Sequence, residues 1–401
     1  MIPAPAPLPS HDDIFGLLRA VVDPELGVDI VTLGMVPGVD IRPDGHVEVT
    51  VKLTIGGCPL RAQIKRDVES RVALHEGVTS VHITWGEMNS TERSALMDTA
   101  RRHAAEHAPD TEVPSTTRVL AVSSGKGGVG KSSVTVNLAA AVAARGFTVG
   151  VLDADIWGFS VPRLLGIDQP LEAQRIEGSE KPKIIPNEIE VGRGLTKGVL
   201  KVVSTGFMVG EDTALMWRGL MLTKAVEQFL RDVHWGNLDY LFIDMPPGTG
   251  DVQMGLARML PRTDLLIVTT PALAAQKVAA RAADMARRSH LRVVGVIENM
   301  SAFHCGHGER YELFGNGGGE ALASQVGAPL LGQVPIEAAV AAGGDAGVPV
   351  SLNGDGVAAD VFRSIATLIV DDIAPPANAA GCSSRMLAMV EAALDQAAPS
   401  N

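Results

Sequence analysis

The stretch "VLAVSSGKGGVGKSS", residues 119–133, gathers the residue types best suited to chemistry on a phosphate chain. Gly125, Gly130, Lys131 and Ser132 stand at the defining positions of the phosphate-binding loop pattern G-x-x-x-x-G-K-[ST]. Glycines there let backbone N–H groups turn toward an anion, and the N-terminus of a following helix favours the same charge. The expected phosphate contacts run through Gly125, Lys126, Gly127, Gly128, Val129, Gly130, Lys131, Ser132 and Ser133. Lys131 is expected to reach the β- and γ-phosphates, and the Ser132 hydroxyl to ligate Mg²⁺. In "LFIDMPPGTGD", Asp244 ends an apolar run, the usual place for a carboxylate that holds Mg²⁺ through water. In "VLDADIWGFS", Asp153 and Asp155 end another. Residues two apart share one side of a strand, so both could face the phosphates; an Asp at a strand end can also be a turn former. Lys126 is left over, because a chain binding one nucleotide needs only Lys131.

Three cysteines, Cys58, Cys305 and Cys382, lie far apart in sequence. In a reducing compartment they form no disulfide framework, and are either buried apolar residues or chemically used thiols. Cys58, in "GGCPLRAQI", opens a predicted helix, whose N-terminus would lower its pKa. Asp23 and Glu25 of "DPE" either lie near it or form a turn. Cys305 stands between His304 and His307 in "HCGHG". Cys382 has no motif around it and reads as structurally neutral.

The elements that must position these residues fall into two parts. Over residues 1–85, "DDIFGLLRAVV" and "PLRAQIKRDVESRVAL" carry helical spacing of apolar residues, while "HVEVTVKLTI" and "VTSVHITW" read as strands. This predicts a small α/β domain. Residues 86–117 are polar, contain a possible helix, "ERSALMDTARRHAAEHA", and read as a linker. From 118 to 373, strands alternate with helices, which predicts a mostly parallel, doubly wound P-loop NTPase sheet. The final segment, 374–401, reads as a linker, "APPANAAG", and a helix, "SSRMLAMVEAALDQAA".

Composition narrows the function classes. The 401 residues are 46% hydrophobic, enough for two cores, and the formal net charge of −12 argues against non-specific nucleic-acid binding. The start, "MIPAPAPLPSHDD", has neither the basic nor the apolar region of a secretory signal, and no apolar run reaches membrane-spanning length. A cytoplasmic protein with no membrane or nucleic-acid partner is the expectation.

With its lysine directly after the first glycine, "GKGGVGKS" resembles the deviant Walker A loop of the MinD/ParA/nitrogenase iron-protein class. The resemblance implies a homodimer in which Lys126 crosses a two-fold axis to the partner's ATP. It implies that Asp155 lies in the first switch and positions the attacking water, that Asp244 begins the second switch, and that Asn299 reads the adenine edge. The pieces "DADIWGFSVPRLLG", "MWRGLM", "DMPPGTGDVQ", "TTPALAA", "GVIENMS", "ELFGNGGGEALA" and "GQVPIEAAVAAGGDAGVPV" resemble the narrower Mrp/ApbC family of iron–sulfur cluster carriers. "VVDPELGVDIVTLGMV" and "LTIGGCPLRAQI" resemble the iron–sulfur assembly domain often fused ahead of it, with Cys58 at its functional cysteine position. The implied activity is ATP hydrolysis coupled to carriage of a cluster from scaffold proteins to apo-proteins.

One departure stands out. Where the family commonly has Cys-x-x-Cys after "ENMS", this chain has Cys305 and then Gly308. Histidine can replace some cysteine ligands of iron–sulfur centres, and His307 is the nearest candidate, with His304 second. Two other readings stay open from sequence: a MinD/ParA-like positioning ATPase, and a scaffold in which ATP only holds a dimer together. The last helix has few basic residues, which favours docking on protein over docking on lipid.

Overall fold

The computed structural model describes residues 7–377, apart from 25, 55–59, 156–157, 177, 180, 194–195, 209–218, 249, 306 and 308. Cys58, Cys382 and the expected last helix lie outside the described residues. The chain divides into two compact units, 1–107 and 108–401.

The first unit starts with helix α1 (His11–Leu18), whose Ser10 and Asp13 form a reciprocal capping box. Strands β1 (Gly38–Ile41) and β2 (His46–Leu53) pair antiparallel, and helix α2 (Arg61–Val72) leads to β3 (Ser80–Glu87), which pairs parallel with β2. Period-two alternation buries Val47, Val49, Val51 and Leu53 of β2. Ile64, Val68 and Val72, spaced by four on α2, join the same core with Ile14 and Leu18 of α1.

The expected linker begins differently. Residues Ser90–Glu106 form helix α3, opened by a capping box between Asn89 and Glu92. Leu96 and Ala100, again four apart, are buried in the core of the first unit. Lys52 of β2 pairs with Glu92 at 2.6 Å, and Arg93 donates to the Met88 carbonyl at 3.0 Å. A helix this polar buries only a narrow stripe, which is why composition alone suggested a tether. The rest of the segment belongs with the second unit: Glu112 N–H donates to the Leu230 carbonyl, and the Arg262 guanidinium donates to the Val113 and Pro114 carbonyls.

The second unit is the expected doubly covered sheet. It runs β4 (Arg118–Ser124), α4 (Lys131–Ala143), β5 (Thr148–Asp153), a short α5 (Val161–Leu164), then strands β6 (Glu172–Gln174), β7 (Lys183–Ile185), β8 (Asn187–Arg193) and β9 (Thr196–Ser204). Next come α6 (Gly219–Asp232), β10 (Tyr240–Asp244), α7 (Gly250–Met259), β11 (Asp264–Thr269), α8 (Leu273–Arg288), β12 (Arg292–His304) and β13 (Arg310–Tyr311). The last elements are α9 (Gly318–Val326), β14 (Leu330–Ile336), α10 (Ala338–Asp345), α11 (Val350–Asn353) and α12 (Val357–Leu368). The strand order is β13-β12-β11-β4-β10-β5-β9-β8, with β14 also on β12. The central pairings are parallel; β8 on β9 and β13 on β12 are antiparallel.

Each central strand feeds two cores. Leu120 and Val122 of β4, with Tyr240 and Phe242 of β10, pack toward α4 and α12. Val119 and Ala121, with Leu241 and Ile243, pack toward α6, α7, α8 and α9. Such strands are buried on both faces, so they read as continuous apolar runs. Among the described residues no helix is long and apolar enough to cross a membrane.

The packing of α3 yields a test. Leu96→Ala should destabilise the first unit by about 2–5 kcal/mol, the usual cost of emptying a buried leucine site. Hydrogen exchange at the β2 amides of the full chain reads this directly. Unchanged protection there would mean that α3 is only a tether.

Candidate functional site

Parallel strands put their C-terminal ends on one edge, and β4, β5 and β10 are neighbours there. Register places Asp244 beside Asp153 and Val122. The β4–α4 turn crosses this edge. Gly130 caps α4 in the left-handed region at φ 77°, and a side chain there would begin 2.3 Å from the Asn299 amide nitrogen. Gly125 meets the other limit: a Cβ would lie 2.2 Å from the Val278 backbone on α8.

Lys131, the first residue of α4, is only 6% exposed. Its ammonium lies 2.7 Å from Asp244 Oδ1 and 3.9 Å from Asp155 Oδ2. The Ser132 hydroxyl donates to Asp244 Oδ2 at 2.5 Å, and the Thr135 hydroxyl donates to Oδ1 at 2.9 Å. Four residues separate Lys131 from Thr135, one helical turn, so both reach the same carboxylate. Thr135 was not singled out from the sequence, although this spacing was a usable signal. Hydroxyl and carboxylate oxygens are the hard donors that Mg²⁺ takes, and the buried ammonium suits a phosphate chain. The residues present therefore fit a magnesium nucleotide.

Asp153 and Asp155 have different surroundings. Asp153 is fully buried, and its carboxylate accepts from the backbone N–H groups of Asp155, Ser160 and Val161 and from the Ser204 hydroxyl. Burial, and after it the Asp244 charge, pushes Asp153 up to about 7, against the pull of Lys131 and the backbone donors. It ties the segment after β5 to the end of β9. Asp155 instead approaches Lys131, and its Oδ1 accepts from Gly158 N–H at 3.2 Å. Ser204, which completes the Asp153 cage, carried no sequence signal.

Lys126 is exposed, with no ion pair among the described residues. Asn299 sits at the end of the apolar part of β12, and its amide nitrogen donates to the Val129 carbonyl at 2.8 Å. In this structure that group bonds the loop itself. Next to it, Met300 adopts φ 58°, an uncommon region for a side-chain-bearing residue, and the β12–β14 register shifts there. Cys305 is half-buried, and its N–H closes the β12–β13 turn on the Glu309 carbonyl at 2.9 Å. His304 and His307 are exposed. Among the described residues no three His, Cys, Asp or Glu side chains come together as a metal site, so Cys305 and His307 do not meet further ligands within these parts of the chain.

Comparison with known proteins decides the family. Residues 115–370 match the NUBPL iron-transfer P-loop NTPase family, and residues 11–83 match the iron–sulfur cluster assembly protein family. An iron–sulfur cluster carrier protein of Mycobacterium leprae is 44% identical over 344 residues, covering 84% of this chain and 86% of that protein. The chain belongs to the iron–sulfur cluster carrier family of P-loop NTPases. A carrier protein of the same description from Deinococcus radiodurans is 41% identical over 90% of this chain and 95% of its own. Among solved structures, a nucleotide-binding protein of Archaeoglobus fulgidus in complex with ADP is 34% identical, covering 57% of this chain and 86% of that one with a TM-score of 0.46. The two family matches leave α3 between them.

In this iron–sulfur carrier, the raised Asp153 makes stability depend on pH. Between about pH 4 and 7 the folded protein holds a proton at Asp153 that the unfolded chain has released. Stability from this group is therefore lost as pH rises through that window, by on the order of a few kcal/mol. Asp153→Asn, which cannot ionise, should flatten the slope of nucleotide-free unfolding free energy between pH 5 and 7.5. An identical slope in the two proteins would show that Asp153 is ionised throughout.

Proposed function

We propose that the protein is a cytoplasmic, homodimeric ATPase that binds an iron–sulfur cluster as cargo and transfers it from scaffold to apo-proteins under nucleotide control. One observation carries the reading: a single loop buries Lys131 against Asp244 and exposes Lys126. Burying a lysine beside a carboxylate carries a desolvation cost that the pair only partly repays, and a phosphate chain entering the loop offers the same ammonium a second anion. Leaving a second lysine in solvent on the same loop costs little and provides a charge for a site outside this chain.

In this mechanism Lys131 and the loop amides hold the phosphates, and Ser132 and Asp244 would hold Mg²⁺, which would supply neutralisation of phosphate charge. Asp155 accepts a hydrogen bond from the attacking water and aims it at the terminal phosphorus. Lys126 of the partner subunit stabilises the charge that builds as the bond to the leaving phosphate lengthens. Asn299 is assigned to the adenine edge, in exchange for its bond to Val129.

Cys305 is assigned to the cargo, with His307 and then His304 as the nearest substitutes for the missing thiol, and Cys58 as the reactive thiol of the small unit. Support comes from the surface around Cys305, where Phe303, Tyr311, Leu313 and Phe314 are exposed. Large apolar side chains gathered in solvent mark a face that another chain covers.

The hydrolytic reading is tested with three variants. Lys131→Ala should weaken ATP binding roughly a hundredfold or more, since the phosphates lose their buried counter-charge. Lys126→Ala should bind ATP normally as a monomer but lose turnover and ATP-dependent dimerisation. Mixing it with Asp155→Ala should restore part of the turnover, because one composite site in each heterodimer is intact. No recovery under proven subunit exchange would remove the trans role of Lys126.

The cargo reading has its own test. After anaerobic reconstitution, Cys305→Ser should hold markedly less iron and sulfide per dimer than wild type. Full cluster content in Cys305→Ser would move the cargo away from this hairpin.

A further inference from the structure

The residue before the loop's first glycine has no assigned role. Ser124 ends β4 and is fully buried. Its hydroxyl donates to the Lys126 carbonyl at 3.0 Å, and its own carbonyl accepts from Gly248 N–H at 3.2 Å. Gly248 belongs to the segment that follows Asp244. It adopts φ 68°, and a Cβ there would sit 3.3 Å from the Gly125 carbonyl oxygen. The neighbouring Ser123 binds the same segment further along, where its hydroxyl accepts from the buried Gln253 amide of α7 at 3.2 Å. Two consecutive serines therefore join the end of β4 to Gly248 and Gln253.

The Lys126 side chain is exposed and pairs with no acid among the described residues. Four rotatable bonds leave its ammonium without a fixed place, so its reach is set by where the backbone launches it. Next to it, Gly125 lies where a Cβ would meet the Val278 backbone at 2.2 Å, so that side of the loop has little room to shift. The launching backbone is held through the Lys126 carbonyl, and Ser124 holds that carbonyl.

We propose that Ser124 is a positioning residue for Lys126, and that it couples this lysine to the segment after Asp244. A shift of Gly248 pulls on the Ser124 carbonyl; Ser124 passes the shift to Lys126 through its hydroxyl. Metal contact at Asp244 and the reach of Lys126 into the partner's site then change together. The inference rests on the reading of Lys126 as the lysine that serves the partner subunit's nucleotide.

The test is a double-mutant cycle on the full chain: wild type, Ser124→Ala, Lys126→Ala and the double variant. Three quantities are measured: affinity for a fluorescent ATP analogue, ATP turnover and ATP-dependent dimerisation. Ser124→Ala removes one oxygen atom, and water can reach the exposed loop to bond the freed carbonyl. Nucleotide affinity should stay within about twofold of wild type, which also shows that the loop is folded. Turnover and dimerisation should fall about tenfold, the scale of loss expected when a charged group is misplaced by a fraction of an ångström. In the Lys126→Ala background, adding Ser124→Ala should change neither, because the two residues act as one unit. Wild-type turnover in Ser124→Ala overturns the proposal, as does an equal loss in both backgrounds or a loss of affinity that parallels the loss of turnover. In those cases an impaired Lys126→Ala leaves the trans-lysine reading standing. If Lys126→Ala itself turns over and dimerises like wild type, that reading falls and the role of Ser124 falls with it.

Discussion

Lys131 and Asp244 meet at 2.7 Å inside the molecule, the lysine 6% exposed and the aspartate fully buried. Removing two charges from water costs several kcal/mol per ion, and a contact of this kind survives only when the remaining hydrogen-bonding capacity is also met. Ser132 and Thr135 meet it from the carboxylate side. The pair fixes the first turn of α4 against the end of β10, and with it the loop that precedes α4. It also sets a competition. A phosphate chain entering the loop has to take Lys131 from Asp244, and Asp244 is then left with its charge and two hydroxyls, a donor set suited to Mg²⁺. Nucleotide binding on the proposed reading is therefore an exchange of partners rather than the filling of a ready-made site.

That exchange touches the neighbouring strands because the sheet is parallel at its centre. Asp153 and Asp244 are register partners on adjacent strands, so the Asp244 charge adds to burial in raising the Asp153 carboxyl. The protein accommodates this by closing Asp153 in backbone amides and the Ser204 hydroxyl, which ties three chain segments to one carboxylate. Asp155, two residues on, is left to approach Lys131. Two acids that are near neighbours in sequence thus divide into one that holds the backbone and one that stands at the site.

The family supplies the name of the cargo, and the chain departs from it at the thiol hairpin. Cys305 closes a short antiparallel turn among exposed Phe303, Tyr311, Leu313 and Phe314, with Gly308 in place of the common second cysteine. If the cluster sits there, imidazole has to complete its ligation or a second copy has to bring more thiolate. With imidazole in the set the bonds are weaker than those of four thiolates, which suits a cargo that must be released.

Much of the fold and the site was legible from sequence, because both rest on local patterns. Continuous apolar runs ending in Asp244 and Asp153 announced parallel strands, and a glycine-rich loop followed by Lys131 and Ser132 announced a phosphate loop, since backbone freedom and charge must recur at fixed spacing for that chemistry. Other features depend on contacts between distant segments. Thr135 and Ser204 matter for what they touch, across 109 and 51 residues of separation, and their residue types alone carry no mark of it. The helix in the segment read as a linker is α3, and its two buried positions, Leu96 and Ala100, are too few to stand out in so polar a sequence. Asn299 was expected at the adenine edge, and the structure shows its amide bonded to Val129. Sequence determined which groups this chain owns and in what local order. Only the tertiary structure decided which are buried against one another, because burial, and with it the strength of every charge and hydrogen bond here, is set by neighbours that lie far away along the chain.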